Sequence, residues 1–370
     1  MVSKNQQALM ALVRAGLWEQ DVQLSQFDVV NFDTIYKIAQ EQSVVGLLAA
    51  GFEHVADLRI PQDVSLAVAG DVLQIENVNT AMDEFIEHLI LKLRQENIYA
   101  LLLKGQGIAQ CYERPLWRAS GDVDLFLSEI NYKNAAHCLK KVADHIDKEN
   151  VYNKHLALNL DPWVVELHGT LRSGLWRRID KTVDKVQCAI FYEGKVRSWK
   201  NGHTQVFIPN ADEDVIYVFS HILQHFYREG IGLRQICDWC RLIWTHRATL
   251  DHGLLEGRLR EMGVMSEWRA FSSLAVNHLG MPVEAMPLYS SSTKWKKKAD
   301  KILWVVLETG NFGQNIDRSY LNEYSVTKRK LTTLYRSSVD IITIFTIFPL
   351  DSIKVWINMI LNGVKVFLKG

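Results

Sequence analysis

The chain has 370 residues, and its 42 Lys and Arg balance 42 Asp and Glu, so its formal net charge is zero when His is neutral. This balance argues against a histone-like or wholly basic nucleic-acid binder. The length predicts two or three domains, and the 48% hydrophobic fraction suffices for buried cores, which excludes disorder as the main state.

The zero net charge is an average over two unlike regions. Residues 294–370 hold 13 Lys and Arg against 6 Asp and Glu, whereas residues 1–293 hold 29 against 36. Such an asymmetry indicates either a solvated basic face or contact with a polyanion or a membrane surface. No specific nucleic-acid partner is predicted, because no segment has the composition of an RNA-binding module.

The amino-terminal residues and the cysteines predict a cytoplasmic protein. Residues 1–17 form an amphipathic stretch rather than the apolar segment and cleavage site of a signal peptide. The five cysteines are odd in number and scattered along the chain, which favours free thiols over a disulfide framework.

The first eighty residues predict helices, since apolar residues recur at helical spacing. A stronger helix is expected from Thr80 to about Asn97, with one apolar and one charged face. The apolar run Ile98 to Leu103 then predicts a buried strand that ends at Lys104 and Gly105. A short helix is expected from Ile108 to Tyr112.

The segment from Ser120 to Leu127 is chemically the most informative. In a strand, side chains alternate between faces, so Asp122 and Asp124 point the same way while Val123 and Leu125 point into the core. Two carboxylates about 6 to 7 Å apart along a strand can converge on divalent cations, which prefer oxygen ligands.

A third acid lies on a second apolar strand, Trp163 to His168. Glu166 interrupts this strand and is costly to bury without a partner or a metal. If the strand lies beside that of Asp122, the three acids form one cluster. A bound divalent ion then relieves the repulsion among their like charges.

These motifs resemble a known family. A strand, a Lys-Gly turn, a helix, the Asp-x-Asp strand and the Glu166 strand look like the DNA polymerase beta-type nucleotidyltransferase core. The closer resemblance is to the uncharacterised nucleotidyltransferases, whose pattern of Leu-Lys-Gly, Arg, Asp-x-Asp, and Glu or Asp before x-His is met by Leu103-Lys104-Gly105, Arg118, Asp122 and Asp124, and Glu166 with His168.

The resemblance implies an enzyme with a two-metal reaction. Asp122, Asp124 and Glu166 are expected to hold two Mg²⁺ (or Mn²⁺) ions, with Glu166 on the acceptor side. An NTP, expected to be ATP, gives its NMP to a hydroxyl or phosphate acceptor and releases pyrophosphate.

Three further residues are candidates for binding the nucleotide. Lys104 and Arg118 can neutralise phosphate oxygens, Lys as a point charge and Arg through a planar fork. Gly105 lets phosphate approach the backbone closely, although a Gly that merely turns the chain fits the same position.

The downstream helical segment, residues 215–244, admits three interpretations. A zinc site would use His221, His225, Cys237 and Cys240, but their spacing matches no common zinc motif. Buried, hydrogen-bonded residues between packed helices are a second interpretation. The family resemblance adds a third, in which the acceptor side of a cleft is lined by His168, His221, His225, Arg234 and Asp238.

The carboxyl-terminal residues predict an unusual helix. Between Asp351 and Lys369, polar residues recur at steps of three and four, which gives one narrow polar stripe on an otherwise apolar helix. Pro349 separates it from an apolar run at 341–348, and neither piece reaches the roughly 20 residues of a spanning helix. Two interpretations stay open: an in-plane membrane anchor, helped by basic residues at Lys294 to Lys298 and Lys328 to Lys330, and packing onto the body of the protein or a partner.

The expected architecture is α+β, a small nucleotidyltransferase sheet-and-helix core flanked by helical regions. The expected divisions are an N-terminal helical region at 1–79, the core at 80–210, a C-terminal helical region at 211–340 and the tail helix at 341–370. Two alternatives to the enzyme remain: a non-catalytic nucleotide-binding or regulatory protein, and a membrane-associated adaptor that acts through its tail at the inner face of the membrane. The acceptor is not identified by the sequence.

Overall fold

The structure, a computed structural model, describes residues 2–27, 29–151, 154–311, 332 and 341–369, with side chains through Leu361. Within these residues, helices flank a mixed seven-stranded sheet, so the predicted α+β class is confirmed. The basic residues Lys328 to Lys330 lie outside the described residues.

The described helices and strands follow one another along the chain with short connections. The helices are α1 (Lys4–Trp18), α2 (Phe32–Glu41), α3 (Val45–Glu53), α4 (Gln62–Gln95), α5 (Gly105–Ala109), α6 (Glu129–Leu139), α7 (Arg177–Tyr192), α8 (Ala211–Arg228), α9 (Leu233–His246), α10 (His252–Met262), α11 (Met265–Asn277), α12 (Thr293–Thr309) and α13 (Pro349–Lys369). The strands are β1 (Ala100–Leu103), β2 (Asp122–Leu127), β3 (His145–Ile146), β4 (His155–Leu160), β5 (Trp163–His168), β6 (Val196–Asn201) and β7 (Thr204–Pro209).

The sheet has the strand order β3-β4-β5-β2-β1-β7-β6. β2 lies near its centre, antiparallel to β1 and parallel to β5. β4 continues the sheet on the far side of β5 in antiparallel register, and β7 pairs with β1 in parallel. Two strands distant in sequence, β2 and β5, are therefore direct neighbours.

The two faces of the sheet pack against different sets of helices. Val123 and Leu125 of β2 belong to a buried apolar cluster that includes residues of α4 and α6. Phe126, on the other face of β2, belongs to the larger cluster that includes α7, α8 and α9. Because side chains alternate along a strand, Asp122 and Asp124 share the face of Phe126.

Several predicted elements occur with shifted ends. The helix expected from Thr80 begins at Gln62, and the short helix expected from Ile108 begins at Gly105. The segment 80–97 shows a strong amphipathic pattern, whereas the residues before it in α4 bury only three valines, so their sequence pattern is weaker. The 79/80 division falls inside α4 and the 210/211 division falls between β7 and α8; the division into domains stays a prediction.

The loop before β2 is held from two sides. The amide of Asn79, a buried residue of α4, donates hydrogen bonds to the backbone carbonyls of Leu116 and Arg118 at 2.7 and 2.8 Å. On the other side, a Cβ added to Gly46 of α3 would lie 2.0 Å from the carbonyl oxygen of Trp117. Only a residue without a side chain permits this approach, so α3 and α4 together position Arg118.

The tail helix α13 packs onto the body through its polar side. Ser352 and Val355 are buried, and the Asn358 amide donates to the carbonyl of Leu175 at 2.7 Å. Asp351, on the predicted polar stripe, is only 14% exposed. The opposite side of α13 is apolar and exposed, with Leu350, Ile353, Ile357 and Leu361 at 72%, 43%, 46% and 52%.

Among the described residues, no helix combines the length and the apolar character that crossing a membrane requires.

Replacing Gly46 with Ala is expected to destabilise the fold by about 1 to 3 kcal/mol, because the added methyl group forces α3 away from the carbonyl of Trp117. The matched control is Gly70→Ala in exposed α4, where nothing lies within 4 Å of an added Cβ and helix propensity favours Ala by up to about 1 kcal/mol. Urea unfolding of both variants measures the difference, and equal stability for the two contradicts the packing argument.

Candidate metal and nucleotide site

Strand pairing brings three carboxylates together. In the parallel register of β2 and β5, Asp124 lies opposite Glu166, and Asp122 lies two residues before Asp124 on the same face. One oxygen from each of the three carboxylates lies within 4.8 Å of the others. The adjacency that the sequence analysis left conditional is therefore present, and the three oxygens can surround one divalent cation.

Asp124 is the buried member of this group, and two cations neutralise it. Lys104 Nζ lies 3.1 Å from its Oδ1, and His168 Nε2 donates to the same oxygen at 2.7 Å. Burial alone would raise the pKa of Asp124, but the charge of Lys104 and the hydrogen bond from His168 hold it below its usual value. Asp124 is thus kept as a carboxylate.

Asp122 is the exposed member, and its charge is not compensated to the same degree. The negative charge of Asp124, followed by burial, raises the pKa of Asp122, and Lys104 offsets only part of this. The cluster therefore retains a net repulsion that an added cation would relieve.

Glu166 is held by two histidines. His155 Nε2 donates to its Oε2 at 3.0 Å, and His168 Nε2 lies 3.4 Å from the same oxygen. Burial opposes ionisation of Glu166, but these contacts hold its pKa well below the usual value. His155 was not predicted from the sequence; it lies on β4, whose alternating buried leucines are a period-two signal that could have identified the strand.

The turn after β1 has an unusual backbone. Lys104 has φ 49° and ψ −138°, and Gly105 follows with φ 40°. Such a conformation is costly for a residue with a side chain and persists where the surrounding structure enforces it. It directs the Lys104 ammonium to Asp124 and to within 3.4 Å of His221 Nε2 on α8.

Arg118 connects this turn to α9. Its guanidinium donates two parallel hydrogen bonds to Asp238, from Nε at 2.8 Å and from NH2 at 2.7 Å, and both side chains are more than nine-tenths buried. Tyr112 donates to the same carboxylate at 2.8 Å, and Arg234 donates to the carbonyl of Ala119 at 2.7 Å. Burial alone would lower the pKa of Arg118, but its pairing with Asp238 raises it.

The two histidines of α8 form a neutral pair in the wall of the cleft. His225 Nε2 lies 3.1 Å from His221 Nε2, and His225 Nδ1 lies 3.1 Å from Glu229. Burial, with the nearby charge of Lys104, holds the pKa of His221 well below its usual value. His221 is therefore a hydrogen-bond acceptor for Lys104.

Cys237 and Cys240 do not join these histidines. Both thiols are buried within α9, and burial raises the pKa of Cys237 well above its usual value. Among the described residues, the two groups of side chains close enough to share a metal contain no cysteine. All five cysteines are free.

These elements enclose one open cleft of about 240 Å³. Ten of the predicted site residues line it, namely Lys104, Gly105, Arg118, Asp122, Asp124, Glu166, His221, His225, Arg234 and Asp238. His168, predicted on the acceptor side, lies instead on the sheet between Asp124 and Glu166. A second cavity, beside Gly46 and Trp117, measures only about 20 Å³, too small for a nucleotide.

The family of uncharacterised nucleotidyltransferases matches the chain over residues 28–280, which is more than half of its length and includes all the residues of the cleft. This match confirms the resemblance seen in the motifs. The chain matches no curated protein and no solved structure.

Replacing Asp238 with Ala is expected to destabilise the protein by about 3 to 5 kcal/mol, because Arg118 is left as a buried charge without its partner. The matched control is Asp184→Ala, which breaks an equally bidentate pair with Arg172 on the exposed surface of α7. That change is expected to cost about 1 kcal/mol or less. Urea unfolding compares the two, and similar losses contradict the role of burial.

Proposed function

The chain belongs to the family of uncharacterised nucleotidyltransferases, and from this premise we propose that it transfers a nucleoside monophosphate from an NTP to a hydroxyl or phosphate acceptor. The observation that carries the proposal is the convergence of Asp122, Asp124 and Glu166 at the floor of the cleft. A purely structural sheet has no use for three neighbouring carboxylates on one face, because their mutual repulsion costs free energy.

The donor set fits hard divalent ions, with Mg²⁺ first and Mn²⁺ second. Such ions prefer carboxylate oxygens, and the raised pKa of Asp122 marks a position where positive charge is missing. A pair of bound ions would supply orientation of the triphosphate and activation of the acceptor oxygen. Glu166, on the strand beside the Asp-x-Asp pair, is assigned to the acceptor side.

The nucleotide phosphates are assigned to the wall formed by the Lys104–Gly105 turn. Lys104 presents a positive charge to the floor of the cleft, and the backbone of Gly105 carries no side chain to obstruct phosphate. Arg118 lines the same wall, but its fork is directed at Asp238, so it contributes positive charge and holds α9 in place. ATP is the proposed donor.

The acceptor is assigned to the wall formed by α8 and α9. His221, His225, Arg234 and Asp238 line this wall, opposite the carboxylates. His221 and His225 offer imidazoles of low charge, and Arg234 offers a cation. An acceptor with polar hydroxyl or phosphate groups matches this lining.

Replacing Asp124 with Asn is expected to lower NMP transfer by at least about 100-fold, because a neutral amide can no longer help hold a divalent ion. Asp122→Asn is expected to act in the same direction, whereas Asp184→Asn on exposed α7 leaves the rate unchanged. The measurement is Mg²⁺-dependent release of pyrophosphate from labelled ATP, GTP, CTP and UTP in the presence of cell extract.

Full activity of the Asp124 variant contradicts the assigned metal site. Nucleotide binding without turnover by the wild-type protein, unchanged in the double variant Asp122→Asn with Asp124→Asn, would instead support the non-catalytic alternative.

A second activity, contact with a membrane surface, is proposed for α13. Its polar side faces the body of the protein, so the exposed side, at Leu350, Ile353, Ile357 and Leu361, is apolar. Lys301 of neighbouring α12 donates to the carbonyl of Thr346 at 3.2 Å, which places the start of the tail beside a basic helix. An apolar helix face flanked by lysines fits the interface of a bilayer with anionic headgroups.

The exposed lysines on α12 supply the charge complementarity in this proposal. They are Lys294, Lys296, Lys297 and Lys301. A second copy of the chain would bring the same positive charge to the interface and repel it. The occupant assigned to this face is therefore an anionic lipid surface.

The double variant Ile353→Ser with Ile357→Ser is expected to weaken sedimentation with phosphatidylcholine–phosphatidylglycerol vesicles at least about tenfold, because two buried apolar contacts are lost. Leu66→Ser with Leu73→Ser, at exposed leucines of α4, is the matched control and should bind as wild type does. Failure of the wild type to sediment, equal binding by the Ile353 variant, or a dimer that this variant dissociates contradicts the assignment.

A further inference from the structure

A second group of potential metal ligands lies beside the carboxylate cluster. His155 on β4 lies opposite His168 on β5 in the antiparallel register, and Glu166 precedes His168 by two residues on the same face of β5. The ring centroids of the two histidines are 4.9 Å apart. Three side chains from two paired strands thus point to one place at the side of the cleft.

The ligand atoms have the spacing of a coordination shell. His155 Nε2 and His168 Nε2 lie 3.0 and 3.4 Å from the same oxygen of Glu166, and the three atoms lie within 4.8 Å of one another. Ligands bonded to one ion at about 2.0 to 2.2 Å stand roughly 3 to 3.5 Å apart in octahedral or tetrahedral geometry. An ion can therefore bind by replacing the imidazole hydrogens, with little movement of the strands.

The donor atoms differ from those of the carboxylate cluster. Asp122, Asp124 and Glu166 offer oxygen alone, which suits Mg²⁺, whereas His155, Glu166 and His168 offer two nitrogens and one oxygen. Imidazole nitrogen binds first-row transition metals more strongly than it binds Mg²⁺. The side chain of His155 is 36% exposed, so an ion can reach the group from solvent.

We propose that His155, Glu166 and His168 form a site for a divalent transition-metal ion of the zinc, cobalt or manganese class, adjacent to the oxygen-only site and sharing Glu166 with it. The site depends on the strand register and the donor atoms and does not require the proposed transfer reaction. Its consequence for that reaction is that Glu166 carries two different cations, one selected by oxygen and one by nitrogen.

The contacts already in place also allow a simpler role, in which His155 only holds Glu166 by a hydrogen bond. His155→Gln separates the two roles, because a carboxamide can still donate to Glu166 but is a poor ligand for transition metals. The matched control is His145→Gln on β3, where an exposed histidine pairs with Asp147 outside the group.

The test uses tag-free, full-length protein and Co²⁺ or Mn²⁺ alone as probes. The wild type should bind Co²⁺ with visible absorption bands of a nitrogen-containing site and should show ¹⁴N modulation in pulsed EPR of bound Mn²⁺. His155→Gln should weaken Co²⁺ binding at least about tenfold and reduce the ¹⁴N signal, while Mg²⁺ binding by calorimetry stays within about twofold. His145→Gln should match the wild type.

Absence of a ¹⁴N signal in the wild type, or unchanged Co²⁺ binding by His155→Gln, overturns the proposal. An equal loss of Co²⁺ and Mg²⁺ binding also overturns it, because that result shows a positioning role alone. Asp122→Asn should abolish transfer but retain the nitrogen signal, so failure of the transfer reaction and failure of this site are distinguishable.

Discussion

The parallel pairing of β2 with β5 is the constraint on which the site depends. It sets Asp124 opposite Glu166, at a separation where like charges repel, and the surrounding structure is arranged to offset that repulsion. Lys104, held in a strained turn, and His168, two residues after Glu166, both contact Asp124. Asp122 is left with the uncompensated charge, which is where a cation gains most.

The helical part of the chain turns this charged sheet into a cleft. Asn79 of α4 and Gly46 of α3 fix the loop that carries Arg118, and Arg118 fixes α9 through its buried pair with Asp238. α8 closes the opposite wall with His221. The floor of the cleft is thus set by strand register and its walls by packing, which is how one family of cores can serve different acceptors.

The sequence predicted the chemistry of the floor better than its surroundings. Asp122, Asp124 and Glu166 were found because a carboxylate on an apolar strand is costly and alternation gives its direction. Four strands were not predicted, and with β4 went His155, since pairing depends on contacts remote in sequence. For α13 the polar stripe was predicted, but its orientation toward the body depends on contacts such as that of Asn358 with Leu175.

The central claim is that three carboxylates on two paired strands hold the ions that bind an NTP. A crystal structure with Mg²⁺ and a non-hydrolysable NTP tests it most directly. The account predicts Mg²⁺ contacts to Asp122, Asp124 and Glu166, with the triphosphate against the Lys104–Gly105 turn. A triphosphate bound elsewhere, or Mg²⁺ without a contact to any of the three carboxylates, would contradict it.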